Sequence, residues 1–306
     1  MPLVATLLFG MSILSPTVTP FAFGKKAAFS LEFDDSMVSQ VKNVLPLLAQ
    51  YRFPATFYIN PGRNDYVKEV WEKQVPAAGH ELADHTMHHR DTIGAEQAAS
   101  EIGECAKLIE RVHGRPVLTV FGRPGGVRWE IPEADFQRIL KENRLVYPGR
   151  MDFYQDGQGD ITRFPRLALE KGVWRQLGFH GVGGQWLSTS VANLSEVLRF
   201  LDSHRDEMWV APTGTVWKYL REREALQEIA VAAEGDGFRL TPRFDRAKLA
   251  PFELYDAPLT VRVELPADWT RAKVTMGGGW FVVPVIGGTA MFQMLPPADS
   301  VVIRKA

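Results

Sequence analysis

The chain has 306 residues, 45% apolar and 23% charged, enough to bury a large core and consistent with one large domain carrying a smaller one. Its formal net charge of −1, from 35 Lys and Arg mixed among 36 Asp and Glu, supplies no basic stripe and excludes nucleic acid as the expected partner. A single cysteine, Cys105, excludes an internal disulfide framework and a cysteine-built zinc cage.

The first 24 residues carry no charge, and their apolar run from Leu3 to Leu14 is too short to span a bilayer, so no integral membrane segment is expected. They read as a leader segment, which makes the protein secreted or periplasmic. No Lys or Arg precedes the run, and without a signal the chain would be cytoplasmic. AAFSLEF (27–33) then reads as a strand, QVKNVLPLLAQY (40–51) as a helix and ATFYI (55–59) as a strand. The alternation continues with a helix over 66–76, a strand at HELAD (80–84), and a helix over 94–113 that holds Cys105 as a small core residue. LTVFGR (118–123), a helix over 132–142 and LVYPG (145–149) follow. RLALE (166–170), QLGFHGV (176–182), a helix over 192–205, WVAP (209–212) and the charged helix WKYLREREALQEIAVAA (217–233) complete the series. Strand and helix in turn imply parallel βαβ units, here a distorted (β/α)7-type barrel over 25–236. From 237 to 306 the helical period gives way to short alternating runs between Pro, Gly and Asp turns, which predicts a small all-β domain.

In a parallel barrel the chemistry collects where the strands end. AAFSLEF ends in Asp34 and Asp35, HELAD runs into His85 and His89, LTVFG into Arg123, and QLGF into His180. Zinc accepts nitrogen and oxygen donors, and a catalytic site keeps one position open for water. His85 and His89, four residues apart, share a face if the segment turns helically, and His88 then points elsewhere. A histidine pair with one carboxylate gives an ion three protein ligands and leaves the second carboxylate free to move a proton.

FDDS, GHELADHTMHH, GRPGG and GFH, in that order, resemble the motifs of the polysaccharide deacetylases of carbohydrate esterase family 4, over roughly residues 25 to 220. The resemblance implies a metal-dependent deacetylase with Asp34 as catalytic base and Asp35, His85 and His89 as ligands of a divalent metal, Zn2+. It implies Arg123 as the residue that orients the base and His180 as the general acid. The chain departs from the pattern in Glu32 and Ser36, which stand where the family has Thr and Gly, and in the lack of a DxxDW motif before His180. Asp152 is the expected support for His180, with Asp156 as the alternative. Strand alternation turns Glu32 inward beside Asp34, where Arg150 or Arg166 could pair with it.

The function these features imply is removal of N-acetyl groups from a carbohydrate. The alternatives are an O-acetyl polysaccharide esterase and an inactive carbohydrate-binding homologue. Trp129, Trp174, Trp186 and Trp217 could offer faces to a sugar ring.

Overall fold

The computed structural model describes residues 14–149, 151–249, 252, 257–296 and 300–306; residues 1–13 of the expected leader, and Arg150, lie outside them. In chain order the strands are β1 (Thr17–Val18), β2 (Ala27–Asp34), β3 (Thr56–Ile59), β4 (Glu81–Asp84), β5 (Thr92–Ile93), β6 (Thr119–Val120), β7 (Trp129–Glu130), β8 (Leu145–Val146), β9 (Asp152–Phe153), β10 (Trp174–Phe179) and β11 (Met208–Val210). They continue with β12 (Leu226–Glu234), β13 (Gly237–Phe244), β14 (Leu259–Glu264), β15 (Arg271–Met276), β16 (Gly279–Pro284), β17 (Thr289–Met294) and β18 (Val301–Lys305). The helices are α1 (Leu45–Tyr51), α2 (Val75–Ala77), α3 (Gly94–His113), α4 (Glu133–Glu142), α5 (Arg163–Lys171), α6 (Val191–Ser203), α7 (Thr213–Ala225) and α8 (Arg246–Leu249). π-helical turns, Gln40–Val44 and Val70–Gln74, lead into α1 and α2.

β2 is buried along its whole length, as a central parallel strand should be. β10 pairs along one edge of it from Ala28 to Phe33. The other edge is divided, β11 taking Ala27–Phe29 and β3 taking Glu32–Asp34. β4 lies beyond β3 and β9 beyond β10, all parallel, and a bridge from Asp84 to Phe121 leads on to the β6–β8 pair. No ladder joins β8 to β9 among the described residues, so the expected barrel is not closed by hydrogen bonds there.

Period-two alternation gives β2 two different faces. Phe29, Leu31 and Phe33 belong to the main core with Leu48, Leu198 and Leu201 from α1 and α6, and the Phe33 ring stacks on Phe57 at 5.2 Å and on Phe179 at 5.3 Å. A phenylalanine so placed is worth about 3–5 kcal/mol over alanine. The opposite face carries Ser30, Glu32 and Asp34, with Glu32 level with Thr56, Thr56 with Glu81, and Asp34 with Tyr58 on the neighbouring strands. Apolar packing on one face thus fixes the strands whose other face presents the polar groups.

The C-terminal β unit forms two antiparallel sheets, β12-β13-β18-β15-β16 and β1-β14-β17. Its extent differs from the expected 237–306 at both ends. The expected helix over 217–233 stops at Ala225, and its last residues form β12. Gly235 (φ 62) and Asp236 close a two-residue hairpin between Glu234 and Gly237, and Ile229 and Val231 suit a strand. At the other end, part of the segment read as leader is folded into this unit. Thr17–Val18 pair with β14, Leu14 and Ala22 lie in the unit's core, and the Tyr219 hydroxyl of α7 donates to the Thr19 carbonyl at 2.8 Å. RLALE, expected as a strand, lies inside α5, whose buried Phe164, Pro165, Ala168 and Leu169 follow helical spacing up to a left-handed Gly172. Five alternating residues are too few to distinguish the two periods. Cys105 is buried, as expected of a core residue. Among the described residues no helix is long and apolar enough to cross a membrane.

Candidate active site

Asp34, His85, His180 and the chain after β6 all sit at strand ends on one side of the parallel sheet. His85 Nε2 lies 3.6 Å from Asp35 Oδ1 and His89 Nε2 lies 3.3 Å from the same oxygen, and one donor atom from each of Asp35, His85 and His89 falls within 4.8 Å of the others. The two imidazoles meet for a different reason than the helical spacing expected. After β4 the chain forms no helix; Thr86 (φ 68) and His89 (φ 52) are left-handed, and that turn folds His89 back over His85, ring centroids 5.2 Å apart.

Each group is held from behind. His85 Nδ1 donates to the Gly122 carbonyl at 2.8 Å, which fixes the tautomer and aims Nε2 at the carboxylates. Gly122 has to be glycine, because a Cβ there would lie 2.6 Å from the Tyr58 ring and 3.2 Å from His85 Nδ1. Two buried amides missed by sequence reasoning tie the strand ends together. Asn60, just after β3, donates through its side chain to the His85 and Thr86 carbonyls, and its N–H donates to Ser36 Oγ at 3.1 Å. Ser36, at φ 52 in the left-handed region that favours glycine, is therefore integrated by its hydroxyl. Gln40 donates to the Asp34 carbonyl at 2.6 Å and to the His180 carbonyl at 2.9 Å, which sets the spacing of β2 and β10. Neither amide belongs to a motif, and only their position just beyond a strand could have flagged them.

Asp34 Oδ2 lies 3.8 Å from His85 Nε2 and 4.0 Å from His180 Nε2. Burial, reinforced by the charges of Asp35 and Glu32, raises the Asp34 pKa well above the usual carboxylate range. Burial pushes His85 down to about 4, so its imidazole is neutral at neutral pH, and lowers His180 as well. Asp34 Oδ1 and Asp35 Oδ1 are buried without a hydrogen-bond partner. Orphaned carboxylate oxygens beside imidazole nitrogens fit a divalent cation that takes nitrogen and oxygen donors.

Arg123 lines the same cleft, but its guanidinium lies over the Trp129 ring, 5.6 Å from the centroid, and among the described residues it forms no ion pair with Asp34. Asp152 is not beside His180: its carboxylate pairs with Arg175. Asp156 accepts from Ser190 N–H and from the Asn193 side chain at the start of α6. What lies against His180 is the Phe153 ring, stacked at 5.0 Å. An aspartate on a short strand has the right chain position to support His180, but β9 turns Asp152 towards the nearer cation. The cleft has a volume of about 790 Å³ and an aromatic rim of Tyr147, Phe153 and Trp186. Trp186 is 66% exposed, whereas Trp174 and Trp217 pack against core clusters.

Glu32 is fully buried beneath Asp34, and among the described residues no cation pairs with it. Thr213 Oγ1 donates to it, and Arg166 pairs with Asp160 instead at 3.4 Å. The first turn of α7 ends on this acidic layer: Gly214 N–H donates to Glu81 Oε2 at 2.9 Å, an orientation that favours an anion. Burial pushes the Glu32 carboxyl up to about 8, with Glu81 adding to the rise against hydrogen bonds from Thr213 and Tyr58. The folded protein therefore holds this proton over the interval, from about pH 4.5 to 8, in which the unfolded chain releases it. Stability from Glu32 is full below that interval and is lost as pH rises through it. Glu32→Gln, neutral at every pH, is expected to gain on the parent by on the order of a few kcal/mol between those limits, read from urea midpoints. A difference that stays constant with pH would contradict a buried neutral Glu32.

Residues 24–140 match a family model described as Polysaccharide deacetylase. A gellan lyase from Bacillus sp is 24% identical over 308 residues, covering 85% of this chain and 12% of that protein. A peptidoglycan-N-acetylglucosamine deacetylase from Bacillus cereus is 33% identical over 122 residues, 36% of this chain and 54% of that protein. The chain thus spans about half, or far less, of the length of these relatives. Among solved structures, a peptidoglycan deacetylase from Bacillus subtilis superposes with a TM-score of 0.49 at 18% identity, covering 65% of this chain and 94% of that one. A family 4 carbohydrate esterase from Streptomyces lividans does so with 0.47 at 19%, covering 60% and 92%.

Proposed function

We propose, for a chain whose residues 24–140 match the polysaccharide deacetylase family model, a metal-dependent hydrolase that removes N-acetyl groups from a carbohydrate, on a distorted barrel with the β unit as an accessory. The observation that carries this reading is the convergence of Asp35, His85 and His89 within 4.8 Å, with Asp34 and His180 facing each other beside them at 4.0 Å. Asp35, His85 and His89 would hold the ion, and zinc suits that donor set. When bound, the metal polarises the acetyl carbonyl and eases deprotonation of the attacking water.

The remaining chemistry belongs to the side chains. Asp34, once ionised, takes a proton from the water that attacks the acetyl carbon. His180 gives a proton to the leaving nitrogen as the carbon–nitrogen bond breaks, so the products are a free amine and acetate. The Phe153 ring holds His180 flat against the cleft wall. The exposed face of Trp186 is available to stack on a sugar ring. A polymeric carbohydrate substrate also fits a protein that acts outside the cytoplasm.

His180→Ala is expected to lower acetate release by about 10²–10⁴-fold while leaving zinc stoichiometry unchanged, and the defect should shrink for an activated aryl acetate. An equal defect with the aryl ester would mean that His180 positions substrate instead. The function itself is tested by acetate release from chitin oligomers and peptidoglycan fragments beside acetylated xylan, with and without added zinc. Zinc-dependent release from the N-acetylated substrates supports the proposal. Release from xylan alone points to an ester hydrolase, and zinc binding with no release from any substrate points to a carbohydrate-binding homologue.

A further inference from the structure

We propose that Glu101 is the positioning residue of the metal-binding loop, and that His88 and Arg90 are the two groups through which it grips that loop. The inference rests on the reading of Asp35, His85 and His89 as a metal set.

The segment from His85 to Arg90 lies in neither helix nor strand, and left-handed backbone at Thr86 and His89 costs on the order of 1–3 kcal/mol each. Such a loop holds its shape only if its surroundings over-determine it. Its four successive N–H groups are all engaged: Thr86 donates to Asp84 Oδ1 at 2.8 Å, Met87 to the Glu101 carbonyl at 2.8 Å, His88 to Glu101 Oε2 at 2.9 Å and His89 to Thr86 Oγ1 at 3.1 Å. Two of the four go to one residue. The other carboxylate oxygen of Glu101 accepts from His88 Nδ1 at 2.9 Å and pairs with Arg90 Nε at 2.6 Å. Glu101 therefore clasps the loop on both sides of His89.

Glu101 is 1% exposed and projects from the middle of the twenty-residue α3, a rigid base. Its charge is compensated by Arg90, so burial does not leave it uncompensated. From the other side Gly62 closes on the loop. Its N–H donates to the Met87 carbonyl at 2.8 Å, and a Cβ there would lie 2.3 Å from His88 Cδ2. His88 is thus wedged between Gly62 and Glu101, which gives the middle histidine of the run a role outside the donor set.

The test is zinc titration of the metal-stripped full chain by calorimetry, with the thermal midpoint of the metal-free protein measured alongside. Glu101→Gln, which lowers the metal-free midpoint because it breaks a largely buried pair, is expected to weaken zinc binding at least about tenfold at a temperature where the metal-free protein is still fully folded, a loss that a purely structural role would not give. His88→Ala and Arg90→Ala, whose side chains are partly exposed, should each weaken binding by less. Arg90→Ala added to Glu101→Gln should weaken it little further, because the two act through one contact. Parental affinity in a folded Glu101→Gln protein overturns the proposal, as does full additivity with Arg90→Ala. If Glu101→Gln does not fold, parental affinity in both exposed variants overturns it. A parent that binds no zinc overturns the metal reading as well, so the two failures are distinguishable.

Discussion

Asp34→Asn is expected to abolish turnover while retaining metal, and Asp35→Asn to lose metal first and turnover as a consequence. The two carboxylates are neighbours on the chain, yet they face different partners. Asp35 Oδ1 sits 3.3 Å and 3.6 Å from the two imidazole nitrogens, inside the three-residue donor set, whereas Asp34 lies between His85 and His180. An amide oxygen is a poorer donor to a divalent cation than a carboxylate. Asp35→Asn should therefore need excess zinc, and with it recover part of its activity. Asp34→Asn keeps Asp35, His85 and His89 and loses only the group that takes the proton, so a deficit of about 10²–10⁴-fold should persist at every zinc concentration. Acetate release and bound metal, followed for both proteins across a zinc titration, distinguish the roles. Rescue of Asp34→Asn with none for Asp35→Asn would show them to be reversed.

His85→Ala should be the most severe single loss of metal. The ring is 2% exposed, is oriented by the Gly122 carbonyl, and contributes a nitrogen that lies within 3.8 Å of both carboxylates, so no neighbouring side chain can substitute. Removing a ligand should exceed the ten- to hundredfold loss typical of an outer partner, giving more than about 100-fold weaker zinc binding. His88→Ala should still take up one zinc per chain at saturation, because His88 bonds to Glu101 and not to the donor set. Elemental analysis of both proteins after equilibration with zinc is the check, and equal metal loss in the two variants would remove the pairing of His85 with His89.

Much of the site was legible because strand ends are legible. β2, β4 and β10 each announce themselves as short apolar runs, and the polar residues that follow fall together in space because parallel strands point the same way. The expected pairing of His85 with His89 came from helical spacing, whereas the structure achieves it with left-handed residues at Thr86 and His89. Sequence pattern cannot register a backbone conformation that threonine and histidine rarely adopt. The partners of Arg123 and Asp152, and the pairing of Glu32 with Arg166, were misjudged for one reason. Charge pairing depends on which cation or hydroxyl the fold brings nearest, and Arg175, Trp129 and Thr213 are brought there by other strands and helices. Asn60, Gln40 and Glu101 were overlooked because they act on backbone groups and leave no motif. The change from α7 to β12 at Leu226 was hidden by a charged, helix-favouring run, although the Gly-Asp hairpin turn at 235 and 236 was present in the sequence to mark it.

The central claim, that Asp35, His85 and His89 hold a metal on which deacetylation depends, is tested most directly by one add-back measurement. Acetate release from an N-acetylated oligosaccharide is followed with the metal-stripped chain, and then after addition of one equivalent of zinc. The expected result is negligible release before addition and recovery at about one zinc per chain. Equal release before and after, from protein verified to be metal-free, would contradict it.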